Sequence, residues 1–180
     1  RKDRSLDETR LDARRMRPVL IILAALLAYG GSLQGTFHYD DIHSVSDNPH
    51  IRSLSEPLRF LTDKAQFSVD EDKAMYRPGV VSSLAINFAL GGLDPRFFLL
   101  TNLLTHIGCA LAVWWVCGLL GANSHGALVA GLLFAVHPVC AEPVNYVSAR
   151  SESLAVLFGL LGIGMWLRRN DGRKPQALLG

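Results

Sequence analysis

FFLLTNLLTHIGCALAVWWVCGLL, from Phe97 to Leu120, contains no Asp, Glu, Lys or Arg. A helix that crosses a bilayer needs about 20 predominantly apolar residues, and this run supplies them. It reads as a membrane span, and the rest of the chain repeats the pattern. No charged side chain occurs from Pro18 to Tyr39 or from Ser153 to Leu167, and Glu142 is the only one from Phe97 to Ala149. Of 180 residues, 49% are hydrophobic and only 19% charged, with a mean hydropathy of +0.23. A soluble domain carries more charge, about a quarter of its residues. The composition predicts an all-α, polytopic membrane protein.

Working outward, the runs divide the chain into about four spans. The first is 18–34, with Pro18 suited to the opening turn of its helix. The second is 97–120, the third 126–137 and the fourth 153–167. The third is short and is interrupted by His137-Pro138; it spans only if residues beyond His137 lie in the membrane or in a protein-lined cavity. Residues 35–96 form a long loop, and a second loop covers 138–152. Leu54, Leu58 and Leu61 recur at helical spacing, which predicts a short helix lying on the membrane. The apolar run 80–93 is too short to span, so it reads as interfacial or re-entrant. The loops at 35–96 and 138–152 thus carry whatever polar chemistry the chain has.

Charge placement orients these spans. Residues 1–17 hold seven basic and four acidic side chains, and 168–180 hold four basic and one acidic. The segment 35–79 holds five basic and eight acidic ones. By the positive-inside rule both ends are cytoplasmic and the acid-rich loop is outside, which requires an even number of spans. The lead 1–17 is expected to be flexible or surface-lying. It is not a nucleic-acid arm, because Asp3, Asp7, Glu8 and Asp12 interrupt its basic residues and no aromatic lies among them. The first span lacks a clear small-residue cleavage site and follows a long charged lead, so it reads as retained. The chain starts at Arg and is read as a piece of a longer protein, a piece that by itself lacks a complete site. Cys109, Cys117 and Cys140 have no metal or redox spacing and read as packing residues.

The chemistry-bearing residues cluster on the predicted outer face. Asp40 and Asp41 stand just beyond the first span, where an ionised acid is costly and often functional. Adjacent acids point apart, so they do not form a facing dyad. Three readings stand: a solvated loop start, an interfacial cap for a nearby helix, or a general base beside a group that orients a donor or cation. The second cluster is His137-Pro-Val-Cys-Ala-Glu142-Pro-Val-Asn145-Tyr146-Val-Ser148-Ala-Arg150-Ser151-Glu152. If 141–150 is helical, Glu142, Tyr146 and Arg150 share one face. Arg150 then either forks onto a phosphate or neutralises Glu142. Arg77, in Tyr76-Arg77-Pro78, either reaches a lipid head group or snorkels to an anionic surface. No Gly-rich phosphate loop, His/Cys metal cluster or Ser-His-Asp order is visible. No metal or other cofactor is indicated.

These stretches, taken in order, carry a resemblance. They are Tyr39-Asp-Asp, Asn48-Pro-His-Ile, Met75-Tyr-Arg-Pro, Leu84-Ala-Ile-Asn87, Asn102-Leu-Leu-Thr-His106, Leu133-Phe-Ala-Val-His137-Pro and Ser148-Ala-Arg150-Ser-Glu152. Over about 18–167 the chain resembles the amino-terminal membrane part of transmembrane proteins with tetratricopeptide repeats. The animal members of that group are protein O-mannosyltransferases of the GT-C class. The resemblance implies a glycosyltransferase that takes a sugar, such as mannose, from a polyprenyl-phosphate carrier on the outer side of the membrane. It passes the sugar to a protein Ser or Thr hydroxyl with inversion. It implies that Asp40 or Asp41 is the base or acceptor-orienting acid. It assigns donor phosphate or substrate contacts to Arg77, His137, Glu142, Arg150 and Glu152. The segment 60–74 resembles bacterial members, which implies a bacterial inner membrane. Pro143 departs from the pattern, where a small residue is more usual.

Two other functions compete. A scaffold would use the membrane part only to anchor protein-binding repeats. A transporter would place His106 and the Asp pair along a polar path through the spans. Convergence of the Asp pair, Arg77 and Arg150 on one cavity is the feature that separates the enzyme from the scaffold.

Overall fold

The computed structural model describes residues 2–54 and 57–170, and these contain helices and no strand. Helix α1 spans Lys2–Tyr29 and continues as a tighter 3-10 turn, Gly30–Gln34. The helix does not begin at Pro18 but runs through it, so the lead expected to be flexible is helical. No Gly or Pro precedes Pro18 in the sequence, and one proline removes one backbone donor without ending a long helix around it. The last ten residues, including most of the basic tail expected over 168–180, lie outside the described residues.

The long loop is mostly short helical turns. α2 spans Pro57–Thr62 and α3 spans Pro78–Gly91. At 1.5 Å per residue α3 is about 21 Å long, short of the roughly 30 Å apolar thickness of a bilayer. Gly92, with φ of 60°, ends it where a side chain would be strained. α4 spans Pro95–Leu119; Asp94 caps it, accepting a bond from the Arg96 N–H at 3.0 Å. α5 spans Ser124–Val136 and is capped by Asn123, which accepts from Gly126 N–H at 2.8 Å. After His137 the chain bends by 47° into the short α6, Ala141–Asn145. α7 spans Arg150–Asn170.

Among the described residues three segments are long and apolar enough to cross a membrane: Met16–Gln34, Pro95–Leu119 and Arg150–Asn170. The bent pair α5–α6 makes a fourth if it is one broken span. The chain is therefore a multi-pass, all-α membrane protein. α4 is its central helix, packing against α1, α3, α5, α6 and α7.

Two buried cores hold the loops against this bundle. In one, Ile21, Tyr29, Leu103, Ile107, Ala135 and Val144 join α1, α4, α5 and α6. In the other, Val45, Ile51, Phe67, Leu84, Phe98 and Val147 fix the long loop to α3 and the start of α4. The loop is thus a packed cap, which gives its polar residues defined positions. His106, which a transporter would place in a polar path, bonds to the Ala135 carbonyl at 3.0 Å in the first core. Gly131 marks a close approach of α5 to both α1 and α4. A Cβ there would lie 2.8 Å from Ile21 Cδ1, 2.9 Å from Trp114 Cβ and 3.3 Å from the Ala110 carbonyl oxygen. Gly131→Ala is expected to cost about 1–3 kcal/mol by overpacking, read as an earlier thermal unfolding midpoint in detergent.

Candidate active site

The site begins where the chain leaves α1. Residues 35–38 run on from the 3-10 turn, and Phe37 packs edge-on against Phe98 with centroids 5.3 Å apart. Tyr39 then adopts a φ of 46°, a left-handed conformation that a bulky residue rarely holds. Its ring remains 88% exposed. This turn sends the two following carboxylates to different places.

Asp41 goes inward and is 0% exposed. Its Oδ1 accepts from Ser148 N–H at 2.8 Å and Ser148 Oγ–H at 2.6 Å, and its Oδ2 accepts from His38 N–H at 3.2 Å. It therefore joins the start of the long loop, at His38, to the residues just before α7, and its charge is favourable near the positive end of that helix. Asp40 goes outward, with its side chain 57% exposed. Its Oδ1 lies 3.3 Å from His43 Nε2 and 3.8 Å from Lys73 Nζ. Its backbone N–H donates to the Tyr146 hydroxyl at 2.9 Å. Partial burial raises the Asp40 pKa, but hydrogen bonds from His43 and Tyr146 and the charges of His43 and Lys73 outweigh it. The net effect holds Asp40 below the ordinary carboxylate value. Tyr146 is pushed up, first by burial and then by the Asp40 and Asp41 charges, so it stays a neutral phenol.

Asp40 opens into a cleft of about 540 Å³. Arg77, Lys73, Glu142, Tyr146 and Glu152 also line it. Four of the residues singled out in the sequence thus meet here: Asp40, Arg77, Glu142 and Glu152. Arg77 stands at the cap of α3. Its guanidinium lies over the Phe67 ring, 5.1 Å from the centroid, and Nη1 donates to Ser151 Oγ at 3.2 Å. Among the described residues no carboxylate forms an ion pair with it. Beside the cleft, and sharing Arg77, Ser151 and Glu152 with it, runs a second groove of about 370 Å³. Its walls are Gly79 and Val80 of α3 and Leu154, Ala155 and Phe158 of α7. A chamber lined by charged side chains therefore borders a shallow apolar groove between two helices.

The other three residues lie elsewhere, so of the Asp pair, Arg77 and Arg150 only Asp40 and Arg77 converge on the cleft, and the expected convergence is met by half. Asp41 is buried behind the cleft. His137 is exposed at the α5–α6 bend, where its Nδ1 accepts from Val139 N–H at 3.2 Å and its carbonyl accepts from the Tyr29 hydroxyl. Arg150 is 0% exposed and acts as a three-way clamp. Nε donates to Asn102 Oδ1 at 2.7 Å, Nη1 to Ser83 Oγ at 3.0 Å and Nη2 to the Phe98 carbonyl at 2.7 Å. The helix expected over 141–150 stops at Asn145, because Asn102 Nδ2 binds the carbonyls of Pro143 and Tyr146 at 3.2 and 2.9 Å. Tyr146 is extended there, so Glu142, Tyr146 and Arg150 do not share a helix face. Pro143 falls in the first turn of α6, where its missing donor costs nothing.

Sequence reasoning passed over His43 and Lys73. His43 carried a signal, since it follows Asp40 by three residues in a helical turn. Lys73 carried none, because only the fold of the loop brings it to Asp40. Among the described residues no three His, Cys, Asp or Glu side chains come together as a metal site.

No protein-family model matches the chain, and no solved structure does. Several characterised proteins do. Human protein O-mannosyl-transferase TMTC1 is 34% identical over 158 residues, covering 84% of this chain. Human protein O-mannosyl-transferase TMTC3 is 32% identical over 145 residues, covering 78% of it. Human protein O-mannosyl-transferase TMTC4 is 32% identical over 155 residues, covering 76%. The chain spans 18%, 16% and 21% of those three proteins.

Proposed function

Because this chain is a homologue of the TMTC protein O-mannosyl-transferases, we propose that it forms the donor-side part of a glycosyltransferase active site at a membrane surface. The donor is a sugar, such as mannose, on a polyprenyl phosphate, and the acceptor is a Ser or Thr hydroxyl of a protein. The observation that carries this reading is the adjacency of the two cavities, which share Arg77, Ser151 and Glu152. A charged chamber lined by Asp40 and Arg77 lies beside an apolar groove between α3 and α7. That shape suits an amphiphile with a charged head and a long apolar tail.

The chemistry follows from the residues. The acceptor oxygen forms a bond to the anomeric carbon as its proton passes to the Asp40 carboxylate. The bond from that carbon to the phosphate oxygen breaks, and the phosphate leaves with the electron pair. Asp40 remains ionised to a lower pH than a free carboxylate, so it holds the form that can take a proton, at the cost of some base strength. Arg77 offsets the developing phosphate charge with fixed donors, and Lys73 adds a second positive charge at the chamber. Glu142 and Glu152 orient sugar hydroxyls. Attack opposite the leaving group gives inversion. Asp41 and Arg150 act by holding the loops, and His137 lies outside the chamber.

The reading places the chamber on the non-cytoplasmic side of a bacterial inner membrane, with the basic ends of the chain in the cytoplasm. Four crossings, counting the broken α5–α6 pair, return both ends to one side. The test is donor dependence in the full-length protein. Arg77→Ala is expected to raise the KM for polyprenyl-phosphate mannose by about 10- to 100-fold, the cost of a lost charged hydrogen bond. Arg77→Lys restores part of it. An unchanged KM in Arg77→Ala would remove Arg77 from the donor site.

A further inference from the structure

His43 is held from both ring nitrogens. Its side chain is only 13% exposed, at the wall of the chamber. Nδ1 lies 2.9 Å from the hydroxyl of Ser68, which is itself buried. That hydroxyl already accepts the Asp70 N–H at 2.9 Å, so its own hydrogen is free to go to His43 Nδ1. In the tautomer this bond favours, the proton sits on Nε2, which faces Asp40 Oδ1 at 3.3 Å. The backbone repeats the tie, since Val69 N–H donates to the His43 carbonyl at 3.3 Å. The loop from Ser68 to Lys73 thus reaches Asp40 by two routes, through the imidazole and directly through Lys73 Nζ at 3.8 Å.

We propose that His43 is a positioning residue for the reaction at Asp40. Ser68 fixes its tautomer, and the Nε2–H then holds Asp40 Oδ1 and stops the carboxylate from rotating. The inference rests on Asp40 being the base. Half-exposed carboxylates rotate freely in water, and a base is effective only when its lone pair is aimed at the acceptor proton. Lys73 cannot do this alone, because an exposed ammonium on a long chain is a mobile point charge. The imidazole is rigid, largely buried and anchored on its far side. His43 does not touch the substrate; it acts through Asp40.

Two variants separate positioning from packing. His43→Asn keeps a partner for Ser68 but is too short to reach Asp40. His43→Gln places an amide N–H near the position of Nε2. They are assayed in the full-length protein in vesicles, for transfer from polyprenyl-phosphate mannose to a Ser/Thr peptide. His43→Asn is expected to lower kcat by about 10- to 100-fold with donor KM within about twofold. His43→Gln is expected to recover most of the loss, with both variants melting at the same temperature. In the double variant with Asp40→Asn, His43→Asn adds no further loss. Equal rates in His43→Asn and His43→Gln, a KM effect without a kcat effect, or an additive double variant would overturn the proposal. Asp40→Asn at the wild-type rate would instead overturn the reading of Asp40 as base, and the role of His43 with it.

Discussion

Asp40→Asn is expected to lower sugar transfer by about 10²- to 10⁴-fold, the usual contribution of a positioned general base. The variant should insert and melt like the wild type, because its side chain is more than half exposed and packs against no core. Asp41→Asn is expected to behave oppositely. An amide there replaces one acceptor oxygen with a donor facing either Ser148 or His38, so the join between the loop at 38–41 and the residues before α7 weakens. Its loss of activity should track its loss of folded protein. The pair therefore separates in two measurements, a rate and a melting temperature. The pH dependence gives a further check on sign. The Asp40 pKa is lowered in the folded protein. The ionised form is then present above the ordinary carboxylate value and persists below it. The acid limb of the rate profile should fall below 3.8, provided the fold survives there. A limb above that value would assign it to another group.

Arg150→Ala is expected to destabilise the protein by about 3–5 kcal/mol through buried acceptors left without donors. The guanidinium bonds three acceptors, Asn102 Oδ1, Ser83 Oγ and the Phe98 carbonyl. They sit on α4 and α3, so the clamp fixes the start of α7 against both. Arg150→Lys should recover little, because a single ammonium cannot reproduce a planar three-way fork. The readouts are the unfolding midpoint in detergent and the yield of inserted protein. The loss should be indifferent to donor concentration. A variant that melts normally but binds donor poorly would return Arg150 to the chamber.

The spans were legible in the sequence because charge-free runs have few other uses. The start of α1 was not, since a proline at a helix start and one within a longer helix look alike locally. The turn after Asn145 was hidden for a different reason. Glu142, Tyr146 and Arg150 have helical spacing, but Asn102 captures the carbonyls of Pro143 and Tyr146 from a distant part of the chain. The Asp pair could be seen, yet the division between them could not. It depends on the left-handed Tyr39 and on Ser148, which lies 107 residues from Asp41. The apolar groove was also out of reach, because the runs that became α3 and α7 carry no sign that they face each other.

The central claim is that Asp40 serves a lipid-linked donor. It is tested most directly by supplying the full-length protein, in vesicles, with radiolabelled polyprenyl-phosphate mannose or with nucleotide-linked mannose, each with a Ser/Thr peptide. The account predicts labelled peptide from the lipid-linked donor alone, and almost none from it with Asp40→Asn. Transfer from the nucleotide-linked donor alone, or equal transfer by Asp40→Asn and the wild type, would contradict it.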